Sequence, residues 1–328
     1  MSALAPEADG GPRAGGTAAA GLDGHGRRFT LKAAGRVELA VTAFAPSAAG
    51  DRGAVVIAGA TGVPQGFYRG FAAWLAAQGV AAYTFDYRGV ARSRPARLRG
   101  FEAAFPDWAD DIDAVLAHAL AAHARVGYVG HSIGGFLGPT AALATRLERL
   151  LLVGAQTAYW RDWPQPQRWP MALLWHGAMP LVTGLVGYFP GRALRLGEDL
   201  PRGIAMQWAL RPWRDPFDDP RARALYARAL PPVHLLAPRD DVFATAPALQ
   251  RVQQRLAGAA DVRRHVIDPA LLGLRRIGHF GVFRPAASAV WPLLRDLALP
   301  PAAATPGLSP VMAGPAATTH DRRPAGAT

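Results

Sequence analysis

The chain has 328 residues, of which 50% are hydrophobic and 18% are charged. It is therefore long enough to bury a full core in one domain, and this composition excludes a wholly disordered or coiled-coil protein. Its net charge is +12, but the arginines are scattered without a run of five or more basic residues, which argues against a nucleic-acid partner. It has no cysteine, which excludes disulfides, thiolate catalysis and cysteine-ligated metals.

Both ends have the composition of disordered tails. Residues 1–26 and 300–328 are rich in Ala, Gly, Pro and Thr and contain few large apolar side chains. The first segment lacks the continuous apolar stretch of a signal peptide, so we expect a cytoplasmic protein. The longest apolar window, 169–189, is interrupted by prolines, glycines and His176, which predicts no stable membrane insertion.

Between the tails, short apolar runs alternate with helical patterns. This alternation predicts an α/β fold, with a mostly parallel central sheet covered by helices on both faces. Amphipathic helices are predicted after the second strand and over 108–122, and a closing helix over 282–297. In chain order, the strands are predicted at 37–44, 54–58, 80–85, 126–129, 150–153, 233–237 and 262–267.

About eighty residues separate the strands at 150–153 and 233–237, whereas an ordinary crossover needs only a dozen or so. We therefore predict a core in two parts, 27–154 and 230–299, with an inserted cap at 155–229. The cap would cover the carboxyl edge of the sheet, where open α/β sheets bind ligands.

The predicted cap is rich in tryptophan. An indole offers a large apolar surface with one polar group, which suits the wall of a substrate pocket. The alternative is that these side chains only attach the insertion to the core. The candidates for substrate binding are Trp160, Trp169 and Trp175; the other tryptophans of the segment are Trp163, Trp208 and Trp213.

A G-x-S-x-G motif stands where the strand at 126–129 ends and a helix begins. Its residues are Gly130-His131-Ser132-Ile133-Gly134. In this context the motif predicts a nucleophile elbow, a strained turn that exposes the serine hydroxyl above the sheet. The alternative is a glycine-rich turn with a solvated serine, which the preceding strand disfavours.

A serine nucleophile needs a base and an orienting carboxylate, here expected in the order Ser, acid, His. His279 lies between glycines on a predicted loop near the closing helix, and Asp240 and Asp241 follow the strand at 233–237. Counting from the start of that strand favours Asp241, and Asp240 remains the alternative. The other carboxylate is expected to be solvated or to cap the helix near Pro247.

Acyl transfer also needs donors for the developing oxyanion. The N–H of Ile133 is one candidate, and Thr61, in the turn after the strand at 54–58, is the other. That turn contains neither G-x-G-x-x-G nor a Walker lysine, so no nucleotide cofactor is predicted. No metal site is predicted either, because His118 and His123, five residues apart, do not share a helix face well.

Residues 53–299 resemble the α/β-hydrolase superfamily, within its serine-aminopeptidase/monoacylglycerol-lipase-like group. Asp86-Tyr87-Arg88-Gly89 followed by Ser93 resembles that group's D-x-R-G-x-G-x-S loop, and the GHSIGG segment resembles its elbow. Further segments resemble a bacterial subgroup of hydrolases. They are ATGV at 60–63, GYFPG at 187–191, GEDLP at 197–201, the paired aspartates and GHFGVFR at 278–284. One departure is Gly59-Ala60, where the superfamily usually has His-Gly.

The resemblance implies an α/β-hydrolase fold and a cofactor-independent serine hydrolase. Its substrate would be a small molecule, an ester, thioester or amide of a mainly apolar acyl group. Two alternatives stay open: an acyltransferase that uses the same triad, and a catalytically silent α/β-hydrolase scaffold that binds a ligand or partner, because fold does not fix function. The oligomeric state does not follow from the sequence.

Overall fold

The computed structural model describes residues 26–47, 52–209 and 220–301. Apart from residues 26, 300 and 301, the predicted tails lie outside the described residues, as does Trp213. The described strands are β1 (Arg27–Lys32), β2 (Glu38–Phe44), β3 (Ala54–Ala58), β4 (Ala81–Phe85), β5 (Val126–His131), β6 (Leu150–Val153), β7 (Tyr188–Phe189), β8 (Leu200–Pro201), β9 (Val233–Pro238) and β10 (Val262–Ile267).

Eight of these strands form one sheet, in the order β1-β2-β4-β3-β5-β6-β9-β10. The pairs β1–β2 and β2–β4 are antiparallel, and all other neighbours are parallel. Strands β3, β5, β6 and β9 are buried along their whole length, as expected of a sheet covered on both faces. The α/β prediction is confirmed, and the predicted strands agree with the observed ones within two residues at every end.

Helices cover both faces of the sheet. They are α1 (Arg69–Ala77), α2 (Phe105–Ala122), α3 (Ile133–Leu137), α8 (Ala246–Gln253), α9 (Gly278–Gly281) and α10 (Trp291–Ala298), with α4 to α7 between β6 and β9. On one face α2 buries Trp108 and Ile112; on the other α1 and α10 bury Phe71 and Trp291. Helix α2 begins with Pro106 in its first turn, where the missing N–H costs no helical hydrogen bond.

Two elements of the core, outside the segment between β6 and β9, differ from the prediction. Strand β1 was not predicted, because it is an edge strand with only Phe29 and Leu31 partly packed against the core, so its sequence resembles the tail before it. The predicted closing helix 282–297 is wrong in its first half, since the regular helix begins only at Trp291. Pro285 lacks a backbone N–H and keeps Arg284 extended, which interrupts the helix.

The segment between β6 and β9 carries its own helices. They are α4 (Arg168–Ala172), a π-helical stretch (Leu173–Ala178), α5 (Met179–Val186), α6 (Arg202–Ala209) and α7 (Pro220–Ala227), and the short strands β7 and β8 pair with each other. The chain runs without a break in helical conformation from 168 to 186. In the part of the chain that the structure describes, no helix is both long and apolar enough to cross a bilayer.

Candidate active site

Ser132 occupies the sharp turn between β5 and α3. Its φ of 54° and ψ of −110° lie outside the regions that a non-glycine residue ordinarily adopts. The turn requires glycine on both sides: a Cβ at Gly130 would lie 2.5 Å from the backbone carbon of Gly134, and one at Gly134 would lie 2.3 Å from the Ala58 carbonyl oxygen. The G-x-S-x-G pattern therefore has a steric origin, the close approach of α3 to β3 and β5.

A hydrogen-bonded histidine and aspartate lie at the same edge of the sheet. His279 Nδ1 is 2.8 Å from Asp241 Oδ2, while Asp241 Oδ1 accepts from the N–H groups of Phe243 and Ala244. Burial raises the pKa of Asp241, but the charge and hydrogen bond of His279 and the two N–H groups outweigh it and lower the pKa below its usual value. An ionised Asp241 holds a proton on Nδ1 and leaves Nε2 free to act as a base.

Space for this pair comes from Gly154, the residue after β6. It has φ of +61°, and a Cβ there would lie 3.0 Å from His279 Cε1 and 3.4 Å from Asp241 Oδ2. His279 itself is in the one-turn helix α9 rather than in the predicted loop. The short helix follows a turn at Gly278, which also has a positive φ.

Asp240 points to different partners from its neighbour. Its Oδ2 accepts hydrogen bonds from the backbone N–H groups of Ile277 and Gly278, each at 2.9 Å. The expectation that the second carboxylate is solvated or caps the helix near Pro247 is therefore wrong, and Thr245 is the N-cap of α8. Asp240 fixes the backbone directly before His279, because a buried N–H needs an acceptor.

A buried hydrogen-bond network through His131 connects three segments at the sheet edge that carries Ser132. Its Nε2 is 2.9 Å from the His279 carbonyl oxygen and its Nδ1 is 2.8 Å from Tyr68 Oη, which in turn accepts from Ala60 N–H. Burial, with a smaller contribution from nearby His279, lowers the pKa of His131 to about 3, so the ring is neutral near pH 7. A carbonyl only accepts, so Nε2 carries the proton and Tyr68 donates to Nδ1.

This network was not predicted from the sequence. His131 was named there only as part of the G-x-S-x-G motif, and Tyr68 was not singled out. The one signal available was position, since His131 adjoins the elbow serine on a wholly buried strand, where a histidine needs partners for both ring nitrogens.

The two candidate oxyanion donors lie beside the elbow. Ile133 is the first residue of α3, and such N–H groups have no intrahelical acceptor. Ala60 N–H donates to Tyr68 Oη. The next N–H, that of Thr61, has no hydrogen-bond acceptor among the described residues. Because β3 and β5 are parallel and Ala58 is paired with Gly130, the turn at 59–62 and the elbow begin at the same level of the sheet.

Comparison with known proteins agrees with this architecture. The family model for the serine aminopeptidase S33 hydrolases matches residues 50–201, a region that includes Ser132 but ends before Asp241 and His279. The monoglyceride lipase of Saccharomyces cerevisiae has a similar structure, with 15% identity, a TM-score of 0.59, and 83% of this chain and 94% of that chain covered. The chain has the fold of the α/β hydrolases.

Two other solved structures, of an esterase and a peptidase, have a similar fold. A thermophilic esterase from Thermogutta terrifontis shares 16% identity with a TM-score of 0.55, covering 83% of this chain and 99% of its own. The proline iminopeptidase of Mycobacterium smegmatis shares 18% identity with a TM-score of 0.53, covering 83% and 98%. No curated protein matches the chain in sequence. At such identities the likeness defines the fold and leaves the substrate open.

The D-x-R-G-like loop supports the turn at 59–62. Asp86 accepts from both the backbone N–H and the side-chain amide of Gln65, at 2.7 and 3.0 Å. Ser93 Oγ donates to the Asp86 carbonyl at 2.7 Å, and Arg88 forms an ion pair with buried Asp111. These residues hold the backbone that follows Thr61. Within the described residues, none of them forms a hydrogen bond with Ser132 or His279.

The tryptophans of the insertion lie at different depths. Trp169 is 59% exposed and its ring centre is 5.3 Å from that of half-buried Trp160; Trp175 is half-buried, with its ring 5.9 Å from that of Trp208. Trp208, which was not among the predicted substrate-binding residues, donates from Nε1 to Thr61 Oγ1 at 3.0 Å.

Trp163 also approaches the site without having been predicted. It is buried 6.5 Å from the ring of Phe243, which is itself 5.0 Å from the ring of His279. Composition alone cannot rank tryptophans by depth, because the insertion has no regular hydrophobic period to relate them to the core.

Proposed function

We propose that this α/β hydrolase is a serine hydrolase with Ser132 as nucleophile, His279 as general base and Asp241 as orienting acid. The observation that carries the proposal is the buried 2.8 Å hydrogen bond between His279 Nδ1 and Asp241 Oδ2, at the sheet edge where Ser132 stands in a strained elbow. A histidine whose Nδ1 is held by an ionised aspartate is the arrangement that activates a serine hydroxyl.

The mechanism follows from these roles. Ser132 Oγ attacks the carbonyl carbon while His279 Nε2 takes its proton, and the N–H groups of Ile133 and Thr61 bind the oxyanion. The imidazolium then returns the proton to the leaving alcohol, thiol or amine as its bond to the acyl carbon breaks. Water, deprotonated by the same His279, attacks the acyl-enzyme and releases the carboxylic acid and the free serine. Asp241 stays ionised throughout.

The proposed substrate is an ester, thioester or amide of a mainly apolar acyl group. Aromatic side chains near the site support this class: Phe243 lies against His279, and Trp208 hydrogen-bonds to Thr61. The insertion at 155–229 would act as a cap that supplies the walls of the acyl pocket. The proposed location remains the cytoplasm.

The decisive experiment is labelling with a fluorophosphonate, which reacts with an activated serine. We expect the wild-type protein to be labelled and the Ser132→Ala and His279→Ala variants to remain unlabelled, with losses of nitrophenyl-ester hydrolysis of about 10⁴-fold or more. Because the triad acts as a unit, the double variant should lose little more than either single one. Losses that multiply would contradict the shared mechanism.

The same assay separates the alternatives. Hydrolysis of nitrophenyl esters of graded acyl length gives the preferred chain, and analysis of the products in the presence of a primary alcohol shows whether the acyl group goes to water or to the alcohol. Ester product identifies an acyltransferase, whereas a folded wild-type protein that resists the probe identifies a silent scaffold.

A further inference from the structure

The helical stretch 168–186, here called the insert helix, exposes large apolar side chains. Trp169, Leu173, Leu181 and Leu185 are 59%, 72%, 64% and 75% exposed. Elsewhere in the described chain the large exposed apolar residues are dispersed among different elements, namely Leu194, Val266, Leu271 and Leu293. Single exposed apolar residues are ordinary on protein surfaces, whereas a row of them on one element marks an interaction site.

The π-helical stretch aligns these side chains on one face. In a regular α-helix, residues twelve positions apart differ by about 120° around the axis, because each residue turns by about 100°. The wider turns of Leu173–Ala178 reduce the rotation per residue and bring Leu181 and Leu185 back toward the side of Trp169 and Leu173. On the other side, Met171, Met179 and Thr183 are buried against the protein.

The exposed face is apolar without a charged interruption. No Lys, Arg, Asp or Glu occurs between Arg168 and Arg192. A helix at the surface of a protein in water normally has polar or charged side chains on its solvent face. The insert helix therefore has an outer face suited to contact with another apolar phase.

Positive charges flank this face at both ends. The guanidinium carbons of Arg161 and Arg168 lie 5.3 and 5.9 Å from the centre of the Trp160 ring, which adjoins Trp169. At the other end Arg99 lies beside Gly187, its Cγ 3.1 Å from the position of a Cβ there. Within the described ranges these three arginines have no carboxylate partner.

No negative charge offsets these arginines along the segment. The sequence contains no acidic residue between Asp162 and Glu198, and buried Asp162 is paired with Arg251. The whole chain carries +12. A surface of this kind attracts anions and repels another copy of itself.

We propose that the insert helix docks on a lipid bilayer whose surface carries anionic headgroups. Trp169, Leu173, Leu181 and Leu185 insert at the boundary between headgroups and acyl chains, while Arg99, Arg161 and Arg168 contact the lipid phosphates. A helix lying in the membrane plane with its apolar face down and basic residues at the headgroup level is the usual geometry of interfacial binding.

Charge favours a lipid surface over a second copy of the chain. A symmetric dimer through this face would bury apolar side chains equally well, but it would also bring together two sets of arginines that have no carboxylate partner among the described residues. An anionic bilayer satisfies both the apolar face and the charges. The inference goes beyond the proposed hydrolase activity and does not depend on it.

Docking would also place the candidate active site next to the membrane. Trp175 of the insert helix packs against Trp208 at 5.9 Å between ring centres, and Trp208 hydrogen-bonds to Thr61 in the turn beside Ser132.

The test is co-sedimentation of the full chain with vesicles of phosphatidylcholine alone and of phosphatidylcholine mixed with phosphatidylglycerol. We expect the wild type to sediment with the mixed vesicles and only weakly with the neutral ones. The Leu173→Ser/Leu185→Ser variant should bind at least about tenfold more weakly, because it lacks two apolar side chains that docking would bury in the bilayer. Leu271→Ser, at an 86% exposed site outside the insert helix, is the matched control and should bind like the wild type.

A charge pair of variants separates the electrostatic contribution. Arg99→Gln/Arg161→Gln should weaken binding to the mixed vesicles by roughly tenfold and leave the weak neutral binding unchanged, since each arginine near an anionic surface contributes severalfold. Arg36→Gln/Arg264→Gln removes the same charge from exposed sites elsewhere and should have a much smaller effect.

Three outcomes would overturn the proposal. One is a wild type that stays in the supernatant with both vesicles, and another is a Leu271→Ser variant that loses binding as much as the insert-helix variant. The third is a wild type that is a dimer in solution and becomes a monomer in the Leu173→Ser/Leu185→Ser variant, while sedimentation with vesicles does not change. That result would assign the face to contact with a second copy of the chain. Ser132→Ala should still bind vesicles, so failure of docking and failure of catalysis can be told apart; melting temperatures confirm that each variant is folded.

Discussion

The sheet edge around Ser132 and the segment between β6 and β9 differ in how their side chains are held. At the sheet edge Asp241 is held by two backbone N–H groups of its own loop and by His279, and His131 is held by Tyr68 and a carbonyl. In the insertion, Trp169 is mostly exposed and Trp160 and Trp175 are half-buried. Rigid positioning suits bond making, whereas partly exposed apolar side chains suit the recognition of varied acyl chains or a membrane.

The largest effect is expected from replacing the two adjacent aspartates, one at a time. Asp241→Asn should reduce kcat by about 10⁴-fold, because an amide neither holds the reactive tautomer of His279 nor stabilises the imidazolium. Asp240→Asn keeps an oxygen that can accept from Ile277 or Gly278, so we expect a much smaller loss of kcat together with a lower melting temperature. Steady-state kinetics and thermal unfolding of both variants check the ranking, and its reversal would assign the acid to Asp240.

A second test displaces the pair of His279 and Asp241 without removing a functional group. Gly154→Ala puts a methyl group 3.0 Å from His279 Cε1, so the ring must move and kcat should fall by about 10²-fold. Gly273→Ala is the matched control: its φ is +66°, close to the +61° of Gly154, but nothing lies within 4 Å of the added carbon. Both variants carry the same backbone strain, so equal losses of activity would show that displacement of His279 is not the cause.

These two sites also show how much the sequence could predict. The elbow, the order of serine, acid and histidine, and the buried strands follow from local patterns, because a G-x-S-x-G motif after an apolar run has few other structures available. The choice between Asp240 and Asp241 depends on which way each side chain leaves a turn. Nothing in the sequence distinguishes Gly154 from other glycines. Its contact with His279 forms only in the folded protein and joins residues that are far apart in the sequence.

Other features depend on tertiary contacts that no local pattern records. The network of Ala60, Tyr68 and His131 joins residues from separate elements, and the burial that keeps His131 neutral exists only in the folded sheet. The π-helical stretch has no recognisable sequence signature, so the shared face of Trp169 and Leu185 could not be foreseen. Strand β1 was missed for the opposite reason, since an edge strand buries too little to impose a pattern.

A third test concerns this network. Tyr68→Phe removes the hydroxyl that accepts from Ala60 N–H and donates to His131, which leaves two buried groups without partners and frees the turn that carries Thr61. We expect kcat to fall by roughly 30-fold with KM nearly unchanged, since the oxyanion donor acts mainly in the transition state. Tyr83→Phe, which removes another tyrosine–histidine hydrogen bond, to His123, is the control and should leave kcat intact. A rise in KM alone for Tyr68→Phe would mean that the network shapes the binding pocket instead.

The smallest expected effect distinguishes tryptophans within the insertion. Trp208→Phe keeps most of the buried ring but removes the N–H that donates to Thr61 Oγ1, so we expect roughly twofold to tenfold loss of kcat/KM and a change in the preferred acyl length. Trp169→Phe alters a ring that is 59% exposed and should leave both the ranking of acyl lengths and the melting temperature unchanged. The measurement is kcat/KM across nitrophenyl esters of increasing chain length, with thermal unfolding of the same samples. A Trp208→Phe variant that loses stability but keeps the wild-type ranking of acyl lengths would show that this tryptophan only attaches the segment to the core. Any role of the segment in substrate choice would then depend on other side chains.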